Sequence, residues 1–497
     1  MAVSNIVKGA LISYLSIFLN IAISFFYTPW MIKQIGVSDY GLYSLTISFI
    51  SYFIMDFGLS KSISRFIAKY RAEDNVPMVS NMLGLTTKAY LIIDTVIFLV
   101  LLVLFFFLSE IFGGLTAAEI SKLKILYSIA ACFSVLSFMF RPLDGAMVAF
   151  EFFVENKSID MIQKVGTVLL ICLALLLDGG VYLLVLINGA TSLLTSIVKF
   201  LVFKKKSTVN IYWGYRDKKQ LGDIFSFSFW AFGRGLAQRM RLSLIPSVLG
   251  MFCNTTEVSL FALGMTVQGM VYTLSSAIND LFLPKISRMS HANDKSAIMD
   301  LMIRVGRIEL YIITFIFSAF LIFGRDFITL WVGEEFYKVY YIVIFLIFPN
   351  IVTFTQNTAE NLVFVENKIR YTTSIILGCS ILGLVASCLF ARQYGAVGCA
   401  LCSGIALFAD VVIVNFFYHR NMSLDIPTFF KRCHLQILPL CLVPIGIVFF
   451  LLRSIDIVGW IDFILLGAGY TMFFALYLYW IVLNDYEKAL IKSLIRK

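Results

Sequence analysis

Charge is what this chain has least of. Asp, Glu, Lys and Arg make up only 14% of its 497 residues, against 60% hydrophobic residues. A soluble fold of that composition would lack the polar surface that water requires. Histidine is scarcer still: His291, His419 and His434 are the whole supply, and their spacing suits no metal site. No G-x-x-x-x-G-K-[ST] loop occurs, which excludes nucleotide as the direct energy source. The nine cysteines are scattered through apolar runs. Cys399 and Cys402 form a C-x-x-C at an apolar helix start, where they read as small packing residues. The first apolar run, about Ala10 to Ile32, is too long for a signal core and has no small-residue cleavage site after it, so it reads as a first span.

What is present is a succession of apolar runs about 20 residues long, the length that crosses a hydrocarbon core. About fourteen spans are expected, centred on Asn20, Ser51, Thr95, Leu136, Leu170, Ser192, Leu236, Gln268, Tyr311, Ile351, Leu382, Leu407, Val443 and Thr471. The net charge of +10 resides mainly in alternate loops, a topology signal rather than a nucleic-acid footprint. It places both termini in the cytoplasm. The longest outer loop is expected around Gly324 to Lys338, about fifteen residues, too short for a catalytic domain.

One pentapeptide, Phe-Val-Glu-Asn-Lys, occurs at Phe153–Lys157 and again at Phe364–Lys368. The copies follow spans 4 and 10, six spans apart, in loops of equal parity. A weaker pair, Tyr40–Leu45 and Val258–Leu263, keeps the same register. The fold expected is an all-α polytopic membrane protein: two parallel six-helix lobes related by a pseudo-two-fold along the membrane normal, plus two C-terminal helices. The boundaries are 1–203 for the first lobe, 204–222 for a basic cytoplasmic linker and 223–418 for the second lobe. Residues 419–497 hold two more helices and an amphipathic tail with Leu490, Leu494 and Ile495 against Lys488, Lys492 and Arg496.

Polar side chains inside spans point at protein or water rather than lipid. Span 1 has Ser13, Ser16, Asn20, Ser24 and Tyr27 on one stripe. Span 7 has Phe227, Trp230, Arg234, Gln238 and Arg241; span 8 has Gln268, Tyr272, Ser275 and Asn279; span 10 has Asn350, Thr353, Asn357 and Glu360. Stripes of this kind either bond helix to helix or line a hydrated cleft. Arg234 lies about 18 Å along span 7, near the midplane. Arg234 and Arg241 share a face, Arg239 points elsewhere, and two guanidiniums suit an oxyanion such as phosphate. Pairing of Arg234 with Asp94, Asp280 or Glu360 is the competing reading. Asp94 is the deepest acid and Asp410 its counterpart in the other half; each is a candidate site for a coupling proton or sodium ion. Lys88 is placed to snorkel to the inner surface, and Arg141 and Asp144 to satisfy one another beside Pro142.

Short stretches along the chain carry a family likeness. They are Asp56-Phe57-Gly58-Leu59 through Arg65-Phe66-Ile67-Ala68, Pro284-Lys285-Ile286-Ser287, Gly333-Glu334-Glu335-Phe336 and Tyr394-Gly395-Ala396-Val397-Gly398. With their order and placement, the chain resembles a polysaccharide flippase of the multidrug/oligosaccharidyl-lipid/polysaccharide exporter superfamily. The resemblance implies a bacterial inner-membrane transporter of O-antigen or capsule repeat units, working by alternating access. It further implies that an undecaprenyl-pyrophosphate-linked glycan is the cargo and that other polysaccharide assembly proteins are partners. It calls for no catalytic residue, metal or cofactor, and leaves proton or sodium as a coupling ion. Substrate contacts would fall on Arg234, Arg241, Gln238, Trp230, Asn20, Gln268 and Asn279. Span 1 lacks the central basic residue of some relatives, so the positive charge comes mainly from the second lobe. Two other functions fit the span count: a cation-coupled multidrug exporter of the same superfamily, which the basic face disfavours, and a membrane polysaccharide polymerase, which the short outer loops disfavour. A scaffold for a biosynthetic complex would need no polar interior.

Overall fold

The computed structural model describes residues 2–497 other than 208, 210, 216, 280–285, 287, 291–293, 367, 453–456 and 490–497; for 2–16, 20, 61, 218, 221, 223, 225–227, 231, 274, 276–279 and 452 it describes the backbone alone. Every regular element among the described residues is helical. The bilayer imposes this, because each backbone N–H and C=O in hydrocarbon needs a partner and a helix supplies it within one segment. Nine described helical stretches are long and apolar enough to cross a membrane, so the chain is a multi-pass membrane protein. One of the nine, Ile369–Asn421, reverses direction at Gly395 (φ 56°). The expected spans centred on Asn20, Ser51, Leu236 and Gln268 fall in α1 (Ala2–Ile35), α2 (Val37–Ser51), α9 (Lys218–Arg241) and α11 (Thr255–Asn279). None of these four is among the nine: α2 is cut short at 15 residues, and α9 carries Arg234, Arg239 and Arg241 in its apolar run.

The chain forms two compact units, Met1–Ala262 with Ile376–Cys399, and Leu263–Ile375 with Ala400–Lys497. The first contains α3 (Leu59–Ala72), α4 (Val76–Ile111), α5 (Ala117–Phe138), α6 (Pro142–Ala149), α7 (Phe153–Leu176), α8 (Gly180–Lys206) and α10 (Ile245–Phe252). In it α1 packs on α7, α7 on α8, α8 on α5, and α5 on α2 and α4, while α3 lies against α4 and α6. Side chains mark the helix starts. Asn75 accepts from the Met78 amide, Asp217 from those of Lys219 and Gln220, and Thr116 forms a reciprocal box with Glu119. Glu119 also accepts from Ser38 (2.9 Å) and Thr255 (2.7 Å), and Ser259 donates to the Val37 carbonyl (2.7 Å). The first turns of α2 and α11, where the weaker repeat lies, are thereby tied together through α5.

The turn at Gly395 is held by Glu257, whose carboxylate accepts from the Ala396 amide at 2.7 Å. A Cβ on Gly395 would run into that carboxylate, which adds to the cost of its left-handed backbone. The expected outer loop around Gly324 to Lys338 is shorter than the sequence suggested. Helix continues to Val332, and only Gly333–Tyr337, with one 3₁₀ turn, remains between helices.

In the second unit the helix Lys295–Val332 packs against Asn350–Thr355, His434–Leu452 and Trp460–Tyr477. Its buried Arg307 grips buried Glu487 through two nitrogens (2.6 and 3.2 Å), and also bonds the Tyr311 hydroxyl (2.8 Å) and the Arg432 carbonyl (2.9 Å). This two-toothed guanidinium–carboxylate pair docks the start of the expected tail, residues 485–497, of which 490–497 lie outside the described residues. Phe153–Lys157 opens α7, and Phe364–Lys368 spans the turn before Ile369. In both copies the glutamate carries an ion pair, Glu155 with Lys206, and Glu366 with Lys295 and Lys368. Burial pushes the Glu366 carboxyl up, and the two ammonium groups outweigh it, holding it below the usual carboxylate range.

The α3–α6 contact depends on Gly145, where a Cβ would fall on the Ser60 carbonyl oxygen. Gly145→Val is expected to destabilise the protein by about 1–3 kcal/mol, read as a lower melting midpoint in detergent. Gly166→Ala, on α7 with no atom within 4 Å of the added carbon, should leave the midpoint unchanged or raise it. Equal effects of the two would refute the packing argument.

Candidate functional site

Three spans of the first unit are interrupted. Helix stops at Ser51 and resumes at Leu59, stops at Phe138 and resumes at Pro142, and stops at Arg241 and resumes at Ile245. Pro142 and Pro246 lie in the first turn of the resumed helix, where the missing amide costs nothing. Each interruption leaves carbonyls and amides that lipid cannot satisfy.

Side chains from neighbouring spans meet them. Arg239 Nη1 donates to the Ser51 carbonyl at 2.7 Å, and the Tyr52 hydroxyl donates to the Ser243 carbonyl, so the first and third breaks are bonded to each other. Asp56 accepts from the Ser60 amide (3.2 Å) and hydroxyl (3.0 Å) and from the Tyr90 hydroxyl (2.6 Å). The Ser228 hydroxyl bonds the Gly58 carbonyl (3.2 Å) and the Ser62 hydroxyl (2.6 Å). Phe57 stacks on Phe232 at 5.0 Å and 26°. The Asp56–Leu59 motif is thus the lining of a helix break.

These contacts fix the rotation of α9. Gln220 bonds the Tyr70 hydroxyl (3.2 Å) and the Ile224 carbonyl accepts from Ser62 (3.4 Å), so Gln220, Ile224, Ser228, Phe232 and Arg239 lie along α3 and the breaks. Trp230, Arg234 and Arg241 each stand two residues, about 200°, from a member of that row, and Gln238 shares their stripe. That stripe therefore faces away from α3. Trp230, Arg234 and Arg241 are half-buried and Gln238 is exposed; the Trp230 ring meets Phe229 edge-on at 5.2 Å.

Arg141 and Asp144 form the i,i+3 ion pair that their spacing suggests, at 3.9 Å, and Asp144 also bonds Lys199 at 2.8 Å, which bonds Asp160 at the same distance. The Lys199 side chain is only 11% exposed, and two carboxylates balance its charge better than one. Arg141 stands beside the second break, within electrostatic reach of Arg239 and Tyr90. Lys88 is half-buried and donates to the Tyr215 carbonyl in the linker at 3.1 Å.

Asp94 lies on α4, is buried, and has one carboxylate oxygen with no hydrogen-bond partner. It forms no ion pair with any described residue. Gln268 and Asp410 belong to the second unit and are buried there. The side chains of Asn20, Phe227 and Asn279, and all of Asp280, lie outside the described residues. The span 10 stripe is split between Asn350–Thr355 and Asn357–Val365. At the split, Gln356 and Asn415 exchange amide hydrogen bonds of 2.5 and 3.0 Å, a pair that periodicity within one helix gave no sign of. No group of His, Cys, Asp and Glu able to hold a metal occurs among the described residues. The donors gathered here are guanidinium and hydroxyl groups, which suit oxyanions.

Removing Lys199 would leave two carboxylates facing each other with no cation. Lys199→Met is expected to destabilise by about 2 kcal/mol or more, measured by thermal melting. Adding Asp144→Asn and Asp160→Asn should restore most of it; no recovery in the triple variant would refute the charge-balance account.

Residues 6–290 match the family described as polysaccharide biosynthesis proteins. No curated protein matches the chain. Among solved structures, the chain is similar to lipid II flippase MurJ in an inward closed conformation, with TM-score 0.72 and 15% identity over 96% of this chain and 99% of that one. It is similar to a multidrug resistance MATE family transporter of the MOP superfamily in an inward-facing conformation, with TM-score 0.59 and 13% identity over 87% and 99%. The MATE multidrug transporter DinF-BH matches with TM-score 0.61 and 15% identity over 83% and 94%. At such identities the likeness is one of fold.

Proposed function

Because the chain belongs to the polysaccharide biosynthesis protein family, we propose that it flips an undecaprenyl-pyrophosphate-linked oligosaccharide from the cytoplasmic to the periplasmic leaflet of a bacterial inner membrane. It works by alternating access between two lobes, with both termini cytoplasmic, and hands its cargo to other polysaccharide assembly proteins for O-antigen or capsule. The observation that carries the reading is the row of Arg234, Gln238 and Arg241 on the face of α9 turned away from α3. That row stands on a fold similar to that of a lipid flippase. Arg234 and Arg241 bind the pyrophosphate, Trp230 packs on a sugar or the lipid chain, and Gln238, Gln268, Asn20 and Asn279 complete the polar contacts. Asp94, buried without an ion-pair partner among the described residues, is the coupling site for a proton or sodium ion, and Asp410 is its runner-up.

A cation-coupled drug exporter is the second reading, supported by the fold likeness to MATE transporters. The two differ in the charge they attract, since guanidiniums repel a cationic drug.

Transport of a lipid-pyrophosphate glycan into proteoliposomes tests the proposal. Arg234→Ala and Arg241→Ala should each lower the rate on the order of tenfold or more, the effect of losing one hydrogen bond to a charged group. Arg→Lys should rescue only part, because the planar fork is lost. A normal rate in Arg234→Ala, or export of a cationic dye in preference to the glycan, overturns the reading.

Under imposed proton or sodium gradients, Asp94→Asn should weaken gradient dependence more than glycan binding. Unchanged dependence in a well-expressed variant removes Asp94 from the mechanism and directs the test to Asp410.

A further inference from the structure

A cavity of about 160 Å³ lies inside the first unit, among α2, α5 and α8. Its lining mixes apolar side chains, among them Ile47, Ile54, Phe138 and Val185, with Ser134, Ser137, Asn188, Ser192 and Arg141. An empty cavity in a lobe like this one would be lined by apolar groups throughout, whereas polar walls call for an occupant that hydrogen-bonds. Three features define the occupant. The Ser137 hydroxyl is buried and has no hydrogen-bond partner. The Asn188 amide nitrogen is committed to the Tyr43 hydroxyl (3.1 Å) and the Leu184 carbonyl (3.0 Å), which leaves the serines and the guanidinium as donors. No carboxylate lines the cavity among the described residues, and Asp144 stands 3.9 Å from Arg141 while bonded to Lys199.

We propose that this cavity is a binding site for a phosphate-class oxyanion, held by the Arg141 fork and by the hydroxyls of Ser134, Ser137 and Ser192. Positive charge at the rim of an apolar lobe attracts an anion more strongly than it would in water, and the planar fork fits tetrahedral oxygens. The volume lies below the roughly 300 Å³ at which drug-sized pockets begin, so the site takes a phosphate or pyrophosphate and no oligosaccharide. The apolar side chains in the lining accommodate the start of an alkyl chain. Two sources carry this chemistry: the pyrophosphate of the cargo, which rests on the function proposed above, and the headgroup of an anionic membrane phospholipid, which does not.

The test uses the full-length protein in nanodiscs of phosphatidylcholine alone. Ser137→Cys is labelled with an anionic and a cationic methanethiosulfonate, and labelling is read at that residue by peptide mass spectrometry, which separates it from the nine native cysteines. The anionic reagent should react faster, and adding Arg141→Ala should abolish that preference. Inorganic pyrophosphate, or phosphatidylglycerol in the nanodisc, should slow the labelling, at concentrations on the order of tenfold or more higher once Arg141 is lost. Protection by pyrophosphate supports the site with the cargo as source. Protection by phosphatidylglycerol alone supports it with a lipid as source. Equal rates for the two reagents with protection by neither overturn it, as does protection undiminished by Arg141→Ala. Ser134→Cys repeats the measurement if the first variant does not fold. Arg234→Ala should leave protection intact, so a normal rate of glycan transport in that variant, with protection retained, would count against the transport reading alone.

Discussion

A backbone amide or carbonyl left unpaired in hydrocarbon costs several kcal/mol, and the first unit contains three places where helix stops inside a span. Its arrangement follows from how those places are satisfied. The carbonyl of Ser51, at the negative end of α2, receives Arg239; the Ser243 carbonyl receives Tyr52; the start of α3 is covered by Asp56. These bonds run between spans, so they set the rotation and depth of α9 as well as closing the backbone. The orientation of the Arg234 and Arg241 stripe is a by-product of Arg239 being used structurally. One arginine of the helix completes the backbone of a neighbour, and the other two are presented on the opposite side.

Much of this was legible in the sequence, and for identifiable reasons. Composition and run length fix the solvent, and the solvent fixes helix. The 3.6-residue period separates Arg239 from Arg234 and Arg241, and the structure keeps that separation. Tyr394–Gly398 reads as a tight turn because a glycine tolerates the backbone that Gly395 adopts. Periodicity reports the faces of one helix, however, and says nothing of which helix comes next to it. Arg141 and Asp144 pair as the three-residue spacing rule suggests, yet the rule gives no sign that a lysine 55 residues further on shares Asp144 at closer range. The Gln356–Asn415 pair, 59 residues apart, is invisible for the same reason. The break after Ser51 had no local sign beyond the Asp56–Leu59 motif itself.

A fold similar to both lipid flippases and drug exporters does not choose a cargo; the chemistry of the side chains it carries does. Here that chemistry is weighted toward guanidinium. Lys199 and Arg141 are also treated differently. Lys199, with its side chain 11% exposed, is enclosed by two acids, whereas Arg141, 43% exposed, keeps its acid at 3.9 Å. An ammonium is strongly hydrated and must be neutralised when it leaves water, while a guanidinium that stays in part solvated has less need of a close partner. The lysine therefore cross-links spans 4, 5 and 6, and the arginine remains oriented toward the cavity beside it.

The interrupted helices also bear on how the chain enters the membrane during synthesis. A helix partitions from the translocation machinery into lipid on its own apolarity. The helices α4, α7 and α8, and the apolar stretch that α5 and α6 make together, meet that requirement alone. The 15-residue α2 does not, and it emerges ahead of α5 and α10, the helices it packs against. It has to be retained at a protein–lipid boundary until they arrive. The order of residence in the bilayer therefore departs from the order of translation, and the break after α2 closes only once α9 has been made and Arg239 reaches the Ser51 carbonyl.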